Sequence, residues 1–440
     1  MIYIDLSDLA LFAQFSNNVS GIQRVIFNFA KEVQNESDVR FVYRNLSDNK
    51  WYCIENVQFT DDGDIRKFNL LNENWKISRI KWSVTKRRIK ERRGLRKVKP
   101  SFRFLQSIIL RPLLYKGKIS CGPMYVTELK ISQLKSSDCF LIPSIPGDSE
   151  AYEKFIDSIP EKPKVCYFYH DIIPLVTPEF VWGPENKNFK KYVHLMHRTA
   201  YLLITSAQYN RKDYISYVGR TFGEEPNYPI YPIGLPVDFD VKITDDNFYN
   251  ISPISRRLNH YKFCLCVGSI GPRKNHFEIL QAWKKFYDSD DYNNEILVVA
   301  GSPWPSCNDI VDILRSHFCG GSVIFVDAPC DAELAYLYKH CKFTICTSLY
   351  EGWGLPVSES IAIGKPVIVL DQTTLTEAGY NVAITLKSRD LPELKMVVTK
   401  MFKDSNFYNE SLQRVLAARK SLPTWKEFSF KLIKILRETK

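Results

Sequence analysis

The sequence predicts an α/β protein built from two Rossmann-like domains, each a parallel sheet wrapped by helices. Three observations predict it. Residues 343–370 run as apolar strand, glycine-containing loop, short helix and apolar strand, and strands joined through a helix lie parallel. The same order opens the chain, with a strand at 2–6, a turn at 17–21 and apolar residues at helical spacing over Ile22–Val33. The third is length, since 440 residues exceed what one ordinary core organises.

Composition sets the outer bounds. A hydrophobic content of 45% and a charged content of 25% are those of a soluble globular protein. No stretch approaches about 18 uninterrupted apolar residues, which excludes a spanning helix. The opening residues carry Asp5 and Asp8 where a signal peptide would be apolar, so they read as a first strand. Eleven cysteines are scattered without a C-x-x-C pair, and Cys166, Cys264, Cys266 and Cys346 sit in apolar runs as small core residues. A reducing cytoplasm is the expected setting.

The net charge of +11 is local. Between Arg79 and Lys99 stand eleven Lys or Arg residues against the single Glu91, leaving about +1 for the rest of the chain. Trp75, Trp82, Phe102 and Phe104 border this segment. Basic residues flanked by aromatics suit an element lying on an anionic membrane surface, at about 1 kcal/mol per charge near acidic headgroups. A solvated charged linker fits the same residues. Nucleic acid is not expected as a partner, because no recognition motif accompanies the charge.

Taken in order, 41–43 and Trp51–Ile54 read as strands in the first half, followed by the basic insertion at about 75–115. Residues 140–144 end a strand at Pro143, and Lys164–Tyr169 is a buried strand with His170 and Asp171 at its carboxyl end. A histidine there can bond a substrate hydroxyl or carry a proton, and it can equally cap its own strand. His194 and His197 lie one helical turn apart, a spacing open to metal but without a third ligand nearby. Residues 201–205 form another strand, and the proline-rich 231–238 is an extended linker.

The second half opens on a strand at 261–268 and a loop carrying Arg273 and Lys274 ahead of a helix. An arginine fork, a lysine and helix amides together suit a diphosphate. Strands at 295–300 and Val323–Asp327 follow, with Asp331 as the expected N-cap of the next helix. After the strand Phe343–Cys346 come Glu351, Gly352, Trp353, Gly354, Leu355, Pro356 and, in a helix expected from about Ser358, Glu359. The glycines permit close backbone approach to a ligand, and two carboxylates with seven residues between them suit vicinal sugar hydroxyls. As bland alternatives, Glu359 complements the helix dipole and Glu351 is solvated. Residues 412–436 form a helical tail broken at Pro423.

Glu351-Gly-Trp-Gly-Leu-Pro-Val-Ser-Glu359 resembles the paired-glutamate signature of the retaining glycosyltransferases of the GT-B fold, the large family 4 group. His170 is similar to the histidine that such enzymes carry at this strand end. The runs at 170–174 and 20–25 resemble those of a subgroup that builds bacterial surface polysaccharides. The resemblance implies two facing Rossmann-like domains, at 1–240 on the acceptor side and 241–410 on the nucleotide-sugar side, with 411–440 crossing back to the first. It implies Gly21, Arg273, Lys274, Gly352, Trp353, Gly354, Leu355, Glu359 and the backbone at Val326 as donor-binding, with His170 and Glu351 as catalytic. Where many members place Arg directly after the strand glycine, this chain has Ser269, and Arg273 is the substitute. Thr373, Thr374 and Glu377 fall in a region that lies near the donor in the family.

The activity implied is transfer of a hexose such as mannose from a nucleotide diphosphate sugar to a growing, lipid-linked glycan with retention, in capsule or O-antigen synthesis. No cofactor and no metal are expected beyond the donor. The expected place is the inner face of the cytoplasmic membrane, reached through 79–99. Two other classes accommodate the same residues: a nucleotide-sugar epimerase on this fold, or a non-catalytic protein bound to membrane or RNA.

Overall fold

The computed structural model describes residues 1–13, 21–46, 48–54, 126–145, 147–180, 185–237, 248–304, 307–371, 374–387 and 391–438. The basic segment 79–99, the turn at 17–20 and Thr373 lie outside them.

The described strands form two sheets. The first holds β1 (Ile2–Asp5), β2 (Val39–Arg44), β3 (Trp51–Ile54), β4 (Val126–Glu128), β5 (Cys139–Ile142), β6 (Lys164–Tyr169), β7 (Leu202–Thr205) and β8 (Ile230–Pro232), in the order β4-β3-β2-β1-β5-β6-β7-β8. Its six strands from β2 to β8 run parallel, while β3 and β4 add an antiparallel edge. The second holds β9 (Phe263–Val267), β10 (Ile296–Gly301), β11 (Val323–Asp327), β12 (Phe343–Cys346), β13 (Val367–Leu370) and β14 (Ile384–Leu386). All are parallel, in the order β11-β10-β9-β12-β13-β14. Strand order reverses between β9 and β12, which in such sheets opens a crevice at the carboxyl ends of the strands.

The strand residues explain this. β5, β7, β12 and β13 are buried at every position, and β6 at all but its first. Parallel strands covered by helices on both faces read as continuous apolar runs rather than alternating ones. Cys166, Cys264, Cys266 and Cys346 are all buried within these strands.

Of the element boundaries that differ from expectation, two bear on the site; elsewhere the linker read at 231–238 begins as the strand Ile230–Pro232. The helix after the Glu351 loop is Leu355–Ile363, three residues earlier than expected. Pro356 falls in its first turn, where a missing N–H costs nothing, so the proline starts the helix rather than delaying it. Glu359 therefore stands in the second turn. The helix Asp331–His340 is capped by Cys330, whose Sγ accepts from the Glu333 amide at 3.4 Å, and Asp331 is already helical with its side chain outside.

One apolar cluster joins both sheets. Val25, Phe29, Phe168 and Ile204 of the first unit pack in it with Trp353, Val357, Ile361 and Leu375 of the second. The final helix, Trp425–Glu438, contributes Phe428, Leu432, Ile433 and Leu436 to the same cluster and lies against the helix Ile22–Val33. Arg437 adds bonds to Asp38 and Glu36 on that unit. The helix Trp425–Glu438 thus ties the residues that follow the second sheet back to the first unit.

Candidate functional site

The site is assembled at the carboxyl ends of β9 and β12 in one sheet and of β6 in the other. After β9, Pro272–Lys274 makes a single tight turn and Asn275 takes a left-handed conformation (φ 61°, ψ 31°) before the helix His276–Tyr287. The turn separates Arg273 and Lys274 from the helix start and directs both at Glu351. Arg273 Nη1 lies 2.7 Å from one oxygen of Glu351, and Lys274 Nζ donates to the other. Arg273 also donates to the Tyr350 carbonyl at 2.5 Å.

Glu351 is only 7% exposed. Burial alone would raise its proton affinity, but Lys274 and Arg273 outweigh burial and bring its pKa down to about 2. A carboxylate gripped by two cations is fixed in orientation and stays charged across the whole physiological range. The solvated alternative does not apply. The Thr374 hydroxyl donates to the Glu351 carbonyl at 3.0 Å, which fixes the backbone of the same residue.

Gly352 is packed directly against the first unit. A Cβ there would come within 2.7 Å of Asp171 Oδ2 and 3.2 Å of the His170 carbonyl, so the contact tolerates no side chain. The Gly352 carbonyl accepts from Ser206 Oγ at 3.0 Å and Asn210 Nδ2 at 2.5 Å, both following β7. Asn210 Nδ2 also reaches the His170 carbonyl at 2.8 Å. Gly354 (φ 100°) caps the helix Leu355–Ile363, with Leu375 packed where its Cβ would be.

His170 is buried, and its Nε2 lies 2.9 Å from the Pro143 carbonyl. A carbonyl can only accept, so Nε2 carries the proton and Nδ1 keeps its lone pair. Burial lowers its pKa to about 4, the Pro143 contact opposing this only in part. The ring is neutral near pH 7. Asp171 beside it is pushed up by burial, with Arg273 pulling the other way.

Glu359 is held from two sides. Tyr338 Oη donates to Oε2 at 3.0 Å, and Arg24 Nη1 donates to Oε1 at 2.9 Å. Arg24 comes from the first turn of the helix Ile22–Val33, directly after Gly21, which caps that helix with φ 55° and, among the described residues, has nothing within 4 Å of where a Cβ would stand. The pair therefore spans the two units. Arg24 lies in the run 20–25 that carries part of the resemblance, but its pairing with Glu359 is a contact that the sequence does not reveal. A local signal is a cation in a helix's first turn, where the dipole disfavours it.

The remaining candidates divide. Leu355 is the first residue of its helix and is partly buried against the apolar seam. Trp353 is turned into that seam, its Nε1 donating to Ser358 Oγ at 2.9 Å, so its side chain spaces the loop and its backbone alone fronts the crevice. Val326 is buried in β11, the edge strand of its sheet, with β10 and β9 between it and the strand β12 that leads to Glu351. Glu377 does another task than the one expected of its region. Its two oxygens accept from the backbone amides of Gln208 and Tyr209, at the start of a helix in the first unit. His197 is bonded to Tyr228 and stacked on Phe222, and His194 also packs on Phe222. Among the described residues no group of three or more His, Cys, Asp or Glu gathers as a metal site, and no helix is long and apolar enough to cross a membrane.

Residues 249–407 match the family described as Glycosyl transferases group 1. Over 306 residues the chain is 25% identical to the Serotype-specific mannosyltransferase WbdA of Escherichia coli, covering 66% of this chain and 35% of the relative. It is 22% identical over 271 residues to the O-antigen chain mannosyltransferase B of Escherichia coli, covering 60% and 66% respectively. The chain thus spans about a third of the length of the WbdA relative. Among solved structures, Anabaena Alr3699/HepE in complex with UDP and glucose superposes with a TM-score of 0.59 at 14% identity, over 99% of both chains. The two-sheet architecture is therefore the GT-B fold, and residues 249–407 within it match the glycosyl transferases group 1 family.

Proposed function

We propose that this protein is a retaining glycosyltransferase that moves a hexose from a nucleotide diphosphate sugar to a growing, lipid-linked glycan in surface polysaccharide synthesis. The observation that carries this reading is the Glu351 carboxylate, fixed by Arg273 and Lys274 at the strand-order switch point and set against His170 and Asp171 through Gly352. Mannose is the favoured sugar, since WbdA and the O-antigen chain protein are both named mannosyltransferases.

Each group has a role its chemistry suits. Departure of a nucleoside diphosphate develops negative charge, and Arg273 and Lys274 stand ready to meet it in a largely buried setting. Glu351 accepts hydroxyls of the transferred sugar, and Glu359 accepts ribose hydroxyls. The base lies along backbone near Val326, where an edge strand leaves amides and carbonyls available on its outer side. His170, neutral with a lone pair on Nδ1, accepts a sugar hydroxyl rather than carrying a proton. The acceptor hydroxyl's proton passes to the departing phosphate on the same face of the sugar, which yields retention. The reading requires no metal. The acceptor's lipid is reached through the 79–99 segment on an anionic membrane surface.

A thermal-shift screen with the diphosphates of uridine, guanosine, thymidine and adenosine tests the first step, and product analysis the second. One diphosphate should stabilise the protein, and its sugar conjugate should yield free nucleoside diphosphate and an extended glycan with the donor's anomeric configuration. An isomerised donor without acceptor dependence, or no binding of any of the four, would overturn the proposal.

A further inference from the structure

We propose that Arg24 is a further donor-binding residue, an interunit latch that holds Glu359 in this structure and passes to the donor phosphate when a ribose hydroxyl takes the Glu359 oxygen. This rests on the reading of Glu359 given above.

The charges around the crevice are paired among themselves. Arg273 and Lys274 are both committed to Glu351, and Arg24 to Glu359. With its other oxygen taken by Tyr338, Glu359 has each carboxylate oxygen already partnered, and its side chain is only 7% exposed. A ribose hydroxyl that binds Glu359 must therefore share or displace Arg24. A displaced guanidinium needs another anion, because leaving a charged donor unpaired in a partly buried place is costly. Asp331, whose Oδ1 lies 3.9 Å from Arg24 Nη2, is about half exposed, and water screens such a pair, so it is a weaker partner than Glu359.

The donor supplies that anion. Its first phosphate hangs from the 5′ carbon of the ribose, so it lies within one side chain's reach of any group bonded to the ribose-binding carboxylate. An arginine presents a planar fork that matches phosphate oxygens, and its long stem lets it turn from one partner to the other. Exchange leaves every group satisfied: Glu359 on ribose and Tyr338, Arg24 on phosphate. Arg24 stands on the first unit and Glu359 on the second, so the exchange also reports donor occupancy to the helix Ile22–Val33.

The discriminating experiment compares the nucleoside diphosphate that binds best among the four with its parent nucleoside, by ligand-observed titration. Arg24→Met should weaken the diphosphate by about tenfold or more, the scale of one charged hydrogen bond. It should leave the nucleoside unchanged or bind it more tightly, because Glu359 loses its competitor. Arg24→Lys should recover part of the diphosphate affinity, and it serves as the test variant if the methionine form does not fold. Equal weakening of both ligands, or no weakening of the diphosphate, would overturn the assignment while leaving the proposed function standing. Wild-type protein that binds none of the four diphosphates would instead remove the reading on which it rests.

Discussion

Glu377 caps a helix that belongs to the other unit: its carboxylate accepts the Gln208 amide at 2.8 Å and the neighbouring Tyr209 amide at 2.9 Å. The helix Gln208–Phe222 has Ala207 at its N-cap, which offers no side-chain acceptor. The missing cap is therefore supplied across the interface. Removing an N-cap costs about 1 kcal/mol. Glu377→Ala should lower the unfolding free energy by that amount and raise amide exchange at Gln208 and Tyr209 first. Unchanged exchange at those two amides would dispose of the capping role.

Glu351→Gln keeps the shape and removes the charge that Arg273 and Lys274 grip. Transfer should fall by at least about a hundredfold, the scale set by loss of one positioned polar group, while circular dichroism stays that of the wild type. Wild-type turnover would defeat the assignment. The same variant carries a pH signature. Because the folded pKa of Glu351 is depressed to about 2, its contribution to stability is complete above the unfolded value and is lost as pH falls from there towards 2. The wild type should lose stability over that window more steeply than Glu351→Gln.

His170 and His276 are both buried, and burial holds each pKa down to about 4. Their unfolded values lie near 6.5. The unfolded chain thus binds protons that the folded one refuses, so stability is complete above about pH 6.5 and declines as pH drops towards 4. Imidazole resonances of both should stay in the neutral form from pH 8 to about 5.5 in NMR titration. A midpoint near 6.5 for His170 would contradict its buried, proton-donating bond to Pro143.

The last helix offers two kinds of contact to weigh against each other. Phe428 is fully inside the apolar seam and sits edge-on to Phe168 at 6.1 Å, whereas Arg437 pairs with Glu36 and Asp38 at the surface. Phe428→Ala should cost about 3–5 kcal/mol through lost burial and the cavity left behind. Arg437→Ala should cost about 1 kcal/mol or less, since exposed ion pairs are screened by water. Chemical denaturation of both variants gives the comparison, and a larger loss from Arg437→Ala would reverse the ranking.

The charge concentrated at 79–99 predicts a membrane effect. Neutralising Arg87, Arg88, Arg92 and Arg93 removes four of eleven basic residues from that segment. The variant should no longer sediment with vesicles containing anionic lipid, at about 1 kcal/mol per charge lost. Unchanged sedimentation would refute docking through this segment.

Local signals in the sequence were enough for the α/β class, for the strands between Ile2–Asp5 and Val367–Leu370 other than Val126–Glu128 and Ile230–Pro232, the second of which reads as linker, and for the residue types gathered near Glu351. Apolar strand runs, glycine loops and helical spacing act over a few residues, and so does the paired-glutamate pattern that carries the resemblance. What those residues do to one another was decided only by the tertiary structure. That Arg273 and Lys274 hold Glu351, that Arg24 answers Glu359 from 335 positions away, and that Glu377 completes a helix in the other unit are long-range pairings. No local periodicity encodes them. They follow from two sheets whose strand ends face each other across one apolar seam, which brings unlike charges within bonding distance only after both units have folded.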